Sequence, residues 1–136
     1  MRFYETFLEG VVDILETALG MPVQIGFETE LENWMLMNAG EVTAFLAYSG
    51  FEKIGSLERG HATVSHEFTL YLRKIKLEAM GIPEKIASLV EIIEEFDPVE
   101  FRAQRSHYHL EIESGSVDML SGEIIFRIPI KVYKVG

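Results

Sequence analysis

An amphipathic helix is predicted over residues 3–19 by hydrophobic residues that recur at helical spacing. The residues with this spacing are Phe3, Phe7, Val11, Ile14 or Leu15, and Ala18. Acidic residues occupy the other faces of this helix. Gly20 and Pro22 are expected to end it, because glycine favours the left-handed cap and proline cannot continue the helical hydrogen-bond pattern.

The polarity of the chain then alternates with a period of two, which predicts β-strands. The predicted strands cover residues 22–28, 41–48 and 62–74. Residues 29–39 fit either the end of a strand or a turn of helix. A polar, glycine-punctuated segment over residues 49–60 is predicted to be a loop, and its length is typical of loops that carry a function.

A second helix is predicted over residues 82–96, because a proline suits the first helical turn and hydrophobic residues again recur at helical spacing. The chain then ends in a predicted hairpin, with strands over residues 106–113 and 123–135 joined by a loop over residues 114–122. Pro129 lies within the last strand and has no amide hydrogen to donate. An edge position or a bulge is therefore expected there.

Together these elements predict a single domain over residues 1–136. The predicted fold class is α+β, a two-layer sandwich in which a mostly antiparallel sheet carries two helices on one face, in the order α-β-β-β-α-β-β. Several predicted strands are longer than the usual length of about five or six residues. Hairpins are therefore expected to extend beyond the core and to leave edges that can pair with another chain.

The composition narrows the possible functions. Hydrophobic residues make up 48% of the chain, which indicates a globular domain, and the absence of cysteine excludes disulfides, thiol nucleophiles and cysteine-bound metals. The formal net charge of −10 disfavours binding to phosphate backbones. Residues 1–60 carry ten acids and three bases, whereas residues 101–136 carry four acids and five bases. No apolar run is long enough for a membrane span and no signal peptide is indicated, so a cytosolic protein is expected.

His107, His109 and Glu111 are the strongest candidates for a metal site. A strand places all three side chains on one face, and imidazole with carboxylate suits zinc. A solvated outer face explains the same alternation and is the favoured interpretation. His66 falls in the apolar register of its strand and is interpreted as a core or interface histidine.

The remaining polar residues indicate no catalytic site. The Ser-Gly steps are typical of turns, the glycine-punctuated segment lacks the spacing of a phosphate-binding loop, and the carboxylates fit solvated faces. The sequence therefore assigns no catalytic residue, metal or cofactor. A protein that acts by docking to other proteins is favoured over an enzyme.

Three segments, taken in order, resemble the tail terminator and tail completion proteins that join head and tail in bacteriophages and prophages. They are the N-terminal helix over residues 3–19, the strand TAFLAYSG over residues 43–50 and the last strand EIIFRIPIKV over residues 123–132. The resemblance implies a structural protein that forms a ring, commonly a hexamer, which caps the tail tube and joins it to the head. No chemistry is implied.

The resemblance also implies partners and a location. The partners would be other copies of the chain, the tail-tube protein and the head-completion protein, and DNA would pass through the ring without specific binding. The protein would assemble in the host cytoplasm and remain in the virion tail. The residues expected to contact these partners are Phe51, Lys53, Ile54, Leu57, Arg59, Met119, Leu120, Arg127 and Lys131. A small adaptor or regulatory module and, less favoured, a histidine- and carboxylate-based metal enzyme are the alternative hypotheses.

Overall fold

The structure is a computed structural model that describes residues 3–37, 44–56, 62–73, 99–112, 114–120 and 123–135. The described residues form two α-helices and eight strands. In chain order these are β1 (Phe3–Tyr4), α1 (Phe7–Leu19), β2 (Val23–Phe27), α2 (Leu31–Met37), β3 (Ala44–Ser56), β4 (Ala62–Arg73), β5 (Val99–Ala103), β6 (Ser106–Ile112), β7 (Ser116–Leu120) and β8 (Glu123–Val135). The helix predicted over residues 82–96 lies outside the described residues.

The strands belong to one curled, mixed sheet. Seven of them follow one another in the order β1-β5-β6-β8-β4-β3-β2, and β7 pairs with β8 outside this path. The pairs β1/β5 and β2/β3 are parallel, and the other pairs are antiparallel. The antiparallel pairing of the two strands predicted for the C-terminal hairpin is confirmed by β6 and β8, but β7 lies between them in the chain and also pairs with β8.

The N-terminal helix is shorter than its hydrophobic pattern suggests. It begins after Thr6, whose hydroxyl oxygen accepts a hydrogen bond of 3.2 Å from the backbone N–H of Glu9. Phe3 and Tyr4 precede it as the parallel strand β1. The predicted end is confirmed, because Gly20 has a left-handed φ of 66° and donates its N–H to the carbonyl of Glu16.

The two described helices pack on opposite faces of the sheet, so the predicted two-layer sandwich with its helices on one face is wrong. Helix α1 is buried against the face that includes Leu46, Leu70 and Val132. Helix α2 is buried against the other face, which includes Phe45, Ala47 and Tyr71. Residues 44–47 are all buried, because β3 is covered on both sides at this point. The prediction of this strand from alternating polarity assumed that one of its faces is exposed to solvent.

Three further corrections concern the strands. β3 continues through Ser56 into the segment predicted to be a loop over residues 49–60, with a register shift beside Gly50, whose φ of 133° suits glycine. β5 lies after the predicted second helix, where no strand was expected, and β7 lies inside the predicted loop over residues 114–122. The element order α-β-β-β-α-β-β is therefore wrong as well.

Pro129 lies in β8, which is an interior strand and not an edge strand. One side of β8 pairs with β7 as far as Arg127 and with β6 from Ile130 onward. Pro129 falls between these two partners, so on this side of β8 the missing amide hydrogen interrupts neither ladder, while on the other side Pro129 lies opposite Thr69 of β4. The proline therefore marks the change of partner, which is a third possibility beside the expected edge or bulge.

Candidate functional site

The face of the sheet opposite α1 is polar over β5, β6 and β8. Alternate residues of each strand point to this face, and the register aligns them into cross-strand rows. One row pairs Glu100 with His109 and His109 with Tyr133, and the next pairs Glu111 with Lys131. We call this surface the polar face. Its residues include Glu100, Arg102, His107, His109, Glu111, Lys131 and Tyr133.

Three side chains on the polar face converge on one point, and we call Glu100, His107 and His109 the histidine–carboxylate cluster. The Nε2 atom of His109 lies 3.2 Å from Glu100 Oε1, and the Nε2 atom of His107 lies 3.5 Å from Glu100 Oε2. The two imidazole rings meet edge to face with centroids 5.6 Å apart. One potential ligand atom from each of the three residues lies within 4.8 Å of the others.

The carboxylate of this cluster is not the one that the sequence suggested. Glu111 accepts a short hydrogen bond from the hydroxyl of Tyr133 instead. Glu100 replaces it because β5 pairs antiparallel with β6 and sets Glu100 directly opposite His109. The sequence did contain a signal for β5, namely apolar Val99, Phe101 and Ala103 alternating with charged residues. It does not reveal which strand pairs with β5 or in which register.

The cluster is partly shielded from solvent. The side chain of His109 is 17% exposed, that of His107 is 34% exposed and that of Glu100 is 50% exposed. The Nε2 atom of His107 is buried and makes no hydrogen bond of acceptable geometry. Its approach to Glu100 at 3.5 Å is therefore an electrostatic contact, and the nitrogen keeps an unused donor or acceptor position.

A second candidate region is the end of the sheet at β2. The parallel pairing of β2 with β3 ends at Phe27 and Tyr48, whereas β3 continues to Ser56. Among the described residues, no strand covers the outer edge of β2 or the same side of β3 over residues 50–56. Phe27 and Phe51 lie along this edge and are 58% and 67% exposed. We call it the β2 edge.

His66 lies between the β2 edge and the residues of the core, and it contacts both. Its ring stacks on Phe7 with centroids 4.6 Å apart, and its Nδ1 atom lies 3.0 Å from the hydroxyl of Tyr48. It is also the cross-strand neighbour of Phe51. Burial lowers the pKa of His66 below its ordinary value of 6.5, because an apolar environment disfavours the charged imidazolium. These contacts fit its interpretation as a core or interface histidine.

On the face of the sheet that α2 covers, hydrogen bonds between Tyr71 and Glu28 hold the short segment between β2 and α2. The buried hydroxyl of Tyr71 donates to both carboxylate oxygens of Glu28, at 2.9 and 2.7 Å. Burial and the adjacent carboxylate raise the pKa of Tyr71 to about 12. Beside this network, an open cleft of about 440 Å³ separates α2 from the β2 edge, and Trp34, Met37 and Phe45 are among its lining residues.

The residues predicted to contact partners are spread over two parts of the molecule. Phe51 and Lys53 are exposed on the β2 edge. Ile54, Met119 and Leu120 belong to strands β3 and β7, but their side chains, like the whole of Leu57 and Arg59, lie outside the described residues.

Arg127 and Lys131 lie on β8 and are half-buried. Arg127 bonds to Asp118 at 3.0 Å and lies over the ring of Tyr71, so its charge is used within the chain. Lys131 is the cross-strand neighbour of Glu67 and Glu111. The four predicted contact residues whose side chains the structure describes therefore lie in two places, the β2 edge and strand β8.

Neither described helix has the length and apolar character needed to cross a membrane. No protein-family model matches the chain, and no curated protein matches its sequence significantly.

Proposed function

We propose that this chain is a structural assembly protein. In this proposal the β2 end of the sheet in one copy contacts the β1 end of the sheet in the next copy, which is a head-to-tail contact between subunits. We propose further that the resulting ring joins a phage or prophage tail to its head, as the resemblance to tail terminator and tail completion proteins implies. The observation that carries the first proposal is that, among the described residues, the sheet ends in two different edges that no strand covers fully, and that both edges present exposed phenylalanines.

The two edges suit a head-to-tail contact. At one end is the β2 edge, with uncovered backbone on β2 and on residues 50–56 of β3. At the other end, β1 covers only Arg102 and Ala103 of β5, and Phe3 of β1 is 72% exposed. An uncovered strand edge offers a row of N–H and C=O groups to another strand. A contact between two unlike edges leaves one edge of each kind free at the ends of the growing assembly, so it repeats, and it gives a ring when the rotation between neighbours closes.

The two ends of the sheet also differ in charge, and this difference favours a contact between unlike ends. Residues 23–37, which form β2 and α2, carry three glutamates and no basic residue. Residues 99–112, which form β5 and β6, carry two arginines and two glutamates together with two histidines. Two β2 ends facing each other would bring like charges together, whereas the β2 end facing the β5 end does not. The charge distribution therefore favours a head-to-tail contact over a symmetric dimer.

The experiment compares three substitutions that each add one lysine. Phe51→Lys alters the β2 edge, Phe3→Lys alters the β1 edge, and Thr17→Lys is the control on the exposed side of α1. Light scattering over a range of concentrations should show a closed oligomer for the wild-type chain and for Thr17→Lys. Each edge variant should be shifted toward the monomer, because loss of one anchor of an interface costs about 1–3 kcal/mol, or about five- to 150-fold in affinity.

Mixing the two edge variants tests the direction of assembly. In a head-to-tail ring each variant retains one intact edge, so the mixture should form a one-to-one heterodimer. A symmetric dimer through the β2 edge predicts instead that Phe3→Lys has no effect. A wild-type chain that remains a monomer at millimolar concentration contradicts the assembly proposal altogether.

The tail role needs its own test. Tail tubes purified from the phage or prophage that encodes the chain should bind it at one end, visibly by negative-stain electron microscopy. The Phe51→Lys variant should bind less. Failure to bind tubes, combined with a one-to-one complex with a single host protein, would favour the adaptor hypothesis.

A further inference from the structure

We propose that the histidine–carboxylate cluster, Glu100, His107 and His109, is a binding site for a divalent transition-metal ion, with zinc as the ion of best fit. Glu100 belongs to β5, whose outer edge is one of those through which we propose that copies associate, but the side chains of the cluster lie on the polar face of the sheet. It rests on the convergence of three donor atoms from two paired strands.

The spacing of the donor atoms matches a zinc coordination sphere. Zinc binds imidazole nitrogens and carboxylate oxygens at about 2.0–2.2 Å, usually in tetrahedral geometry, so neighbouring ligands lie about 3.3 Å apart. The Nε2 atom of His109 lies 3.2 Å from Glu100 Oε1, and that of His107 lies 3.5 Å from Glu100 Oε2. One donor atom from each of the three residues lies within 4.8 Å of the others, so side-chain movements would have to bring the two imidazoles and one carboxylate oxygen around a single ion.

The sheet holds these ligands in place. His107 and His109 are two residues apart on β6, which brings both side chains to one face, and the ladder with β5 sets Glu100 opposite His109. The ring of Tyr133 packs edge to face against His109 with centroids 5.5 Å apart. Such support lowers the ordering cost of metal binding, because the ligand positions are set before the ion arrives.

The state of His107 is the observation that points beyond an ordinary ion pair. Its Nε2 atom is buried yet lacks a hydrogen-bond partner, although the carboxylate of Glu100 is within 3.5 Å. A buried nitrogen without a partner costs free energy unless something else binds it. A metal ion would bind this nitrogen together with Nε2 of His109 and one oxygen of Glu100.

The donor set also limits the choice of ion. Two imidazoles and one carboxylate suit zinc, iron(II), cobalt(II) or nickel(II), whereas calcium and magnesium prefer oxygen ligands alone. Three protein ligands leave one position of a tetrahedral zinc open. Glu100 is half exposed, so solvent reaches the cluster, and water or a donor atom from a docked partner would complete the coordination.

The test is zinc titration of the metal-free, tag-free chain, followed by competition with a chromophoric chelator. We expect one zinc ion per chain with a dissociation constant of about 10 μM or tighter. Replacement of zinc by cobalt(II) should give the visible absorption bands of a tetrahedral site. The Glu100→Gln and His107→Gln variants should each bind zinc at least about tenfold more weakly.

The matched control is Glu111→Gln. Glu111 lies on the same face, two residues from His109, but its carboxylate accepts the hydroxyl of Tyr133 and is not part of the cluster. It should therefore bind zinc like the wild-type chain. Circular dichroism of each variant separates loss of a ligand from loss of the fold, and the second ligand variant keeps the test decisive if one of them unfolds.

Three outcomes overturn the proposal. They are a wild-type dissociation constant weaker than about 1 mM, a Glu100→Gln variant that binds zinc like the wild-type chain, and a Glu111→Gln variant that loses as much affinity as Glu100→Gln. None of these outcomes depends on the oligomeric state, so the metal site and the assembly proposal fail or stand separately.

Discussion

Replacing Gly10 by alanine tests how closely α1 sits on the sheet. Gly10 is buried near the N-terminal end of α1, and alanine within a helix normally stabilises the chain by about 0.5–1 kcal/mol relative to glycine. An alanine Cβ at this position would lie 2.5 Å from Cδ2 and Cε2 of Phe101 and 3.0 Å from Cδ2 of Tyr4. Carbon atoms in good contact are about 3.5–4.0 Å apart, so the ring of Phe101 would have to retreat by about 1 Å.

The ring of Phe101 has little room to retreat. It is fully buried, meets Tyr4 edge to face at 5.9 Å and stacks on Tyr108 at 5.5 Å. Overpacking of a dense core costs about 1–3 kcal/mol, and contact with two ring atoms favours the upper part of this range. After subtraction of the helix-propensity gain, we expect Gly10→Ala to lower the free energy of unfolding by about 2 kcal/mol.

Urea unfolding followed by far-ultraviolet circular dichroism measures this change, with the slope of the transition checked for constancy. The exposed Thr17→Ala substitution on the same helix is the control and should stabilise the chain by a few tenths of a kcal/mol. The double variant Gly10→Ala with Phe101→Leu should show coupling, because leucine relieves the clash. If Gly10→Ala stabilises the chain as Thr17→Ala does, α1 does not sit on Phe101 as described.

Two further changes test the contacts around the sheet. Tyr71→Phe removes the buried hydroxyl that donates to Glu28 and should cost about 1–2 kcal/mol in urea unfolding; an unchanged midpoint would show that this bond contributes nothing. The pKa of His66 is lowered in the folded chain, so the unfolded chain binds more protons and stability should fall as the pH drops below about 6.5. Between pH 7.5 and 5.5, the melting temperature of the His66→Gln variant should fall less than that of the wild-type chain. Equal decreases would contradict the buried environment of His66.

Local patterns predicted the elements whose determinants lie close together in the sequence. The end of α1 at Gly20 depends on the left-handed conformation of a single residue, and the segment is amphipathic over its whole length. The sheet order depends on contacts between distant residues. Nothing in the alternation of residues 22–28 shows that this strand runs parallel to β3 and not antiparallel to it.

The histidine–carboxylate cluster shows the same division between local and distant information. The alternation around His107 and His109 placed both on one face, as found. The nearest carboxylate along the chain, Glu111, was the natural third ligand by sequence, but its cross-strand surroundings pair it with Tyr133. Glu100 became available only through the register of β5 with β6, which joins residues from separate strands.

The edges of the sheet combine features that discourage pairing with other chains and features that permit it. Monomeric β-proteins commonly place lysine, proline or a bulge on an uncovered strand, or keep that strand short. On the β2 edge, β2 itself carries no charged residue, and exposed Phe27 ends it. The uncovered part of β3 carries register shifts on both sides of Phe51 and the charged residues Glu52 and Lys53, but Phe51 itself is exposed. A lysine beside an exposed aromatic residue discourages indiscriminate pairing while it leaves the apolar contact available. This combination favours a specific partner strand over both a solvated edge and uncontrolled aggregation.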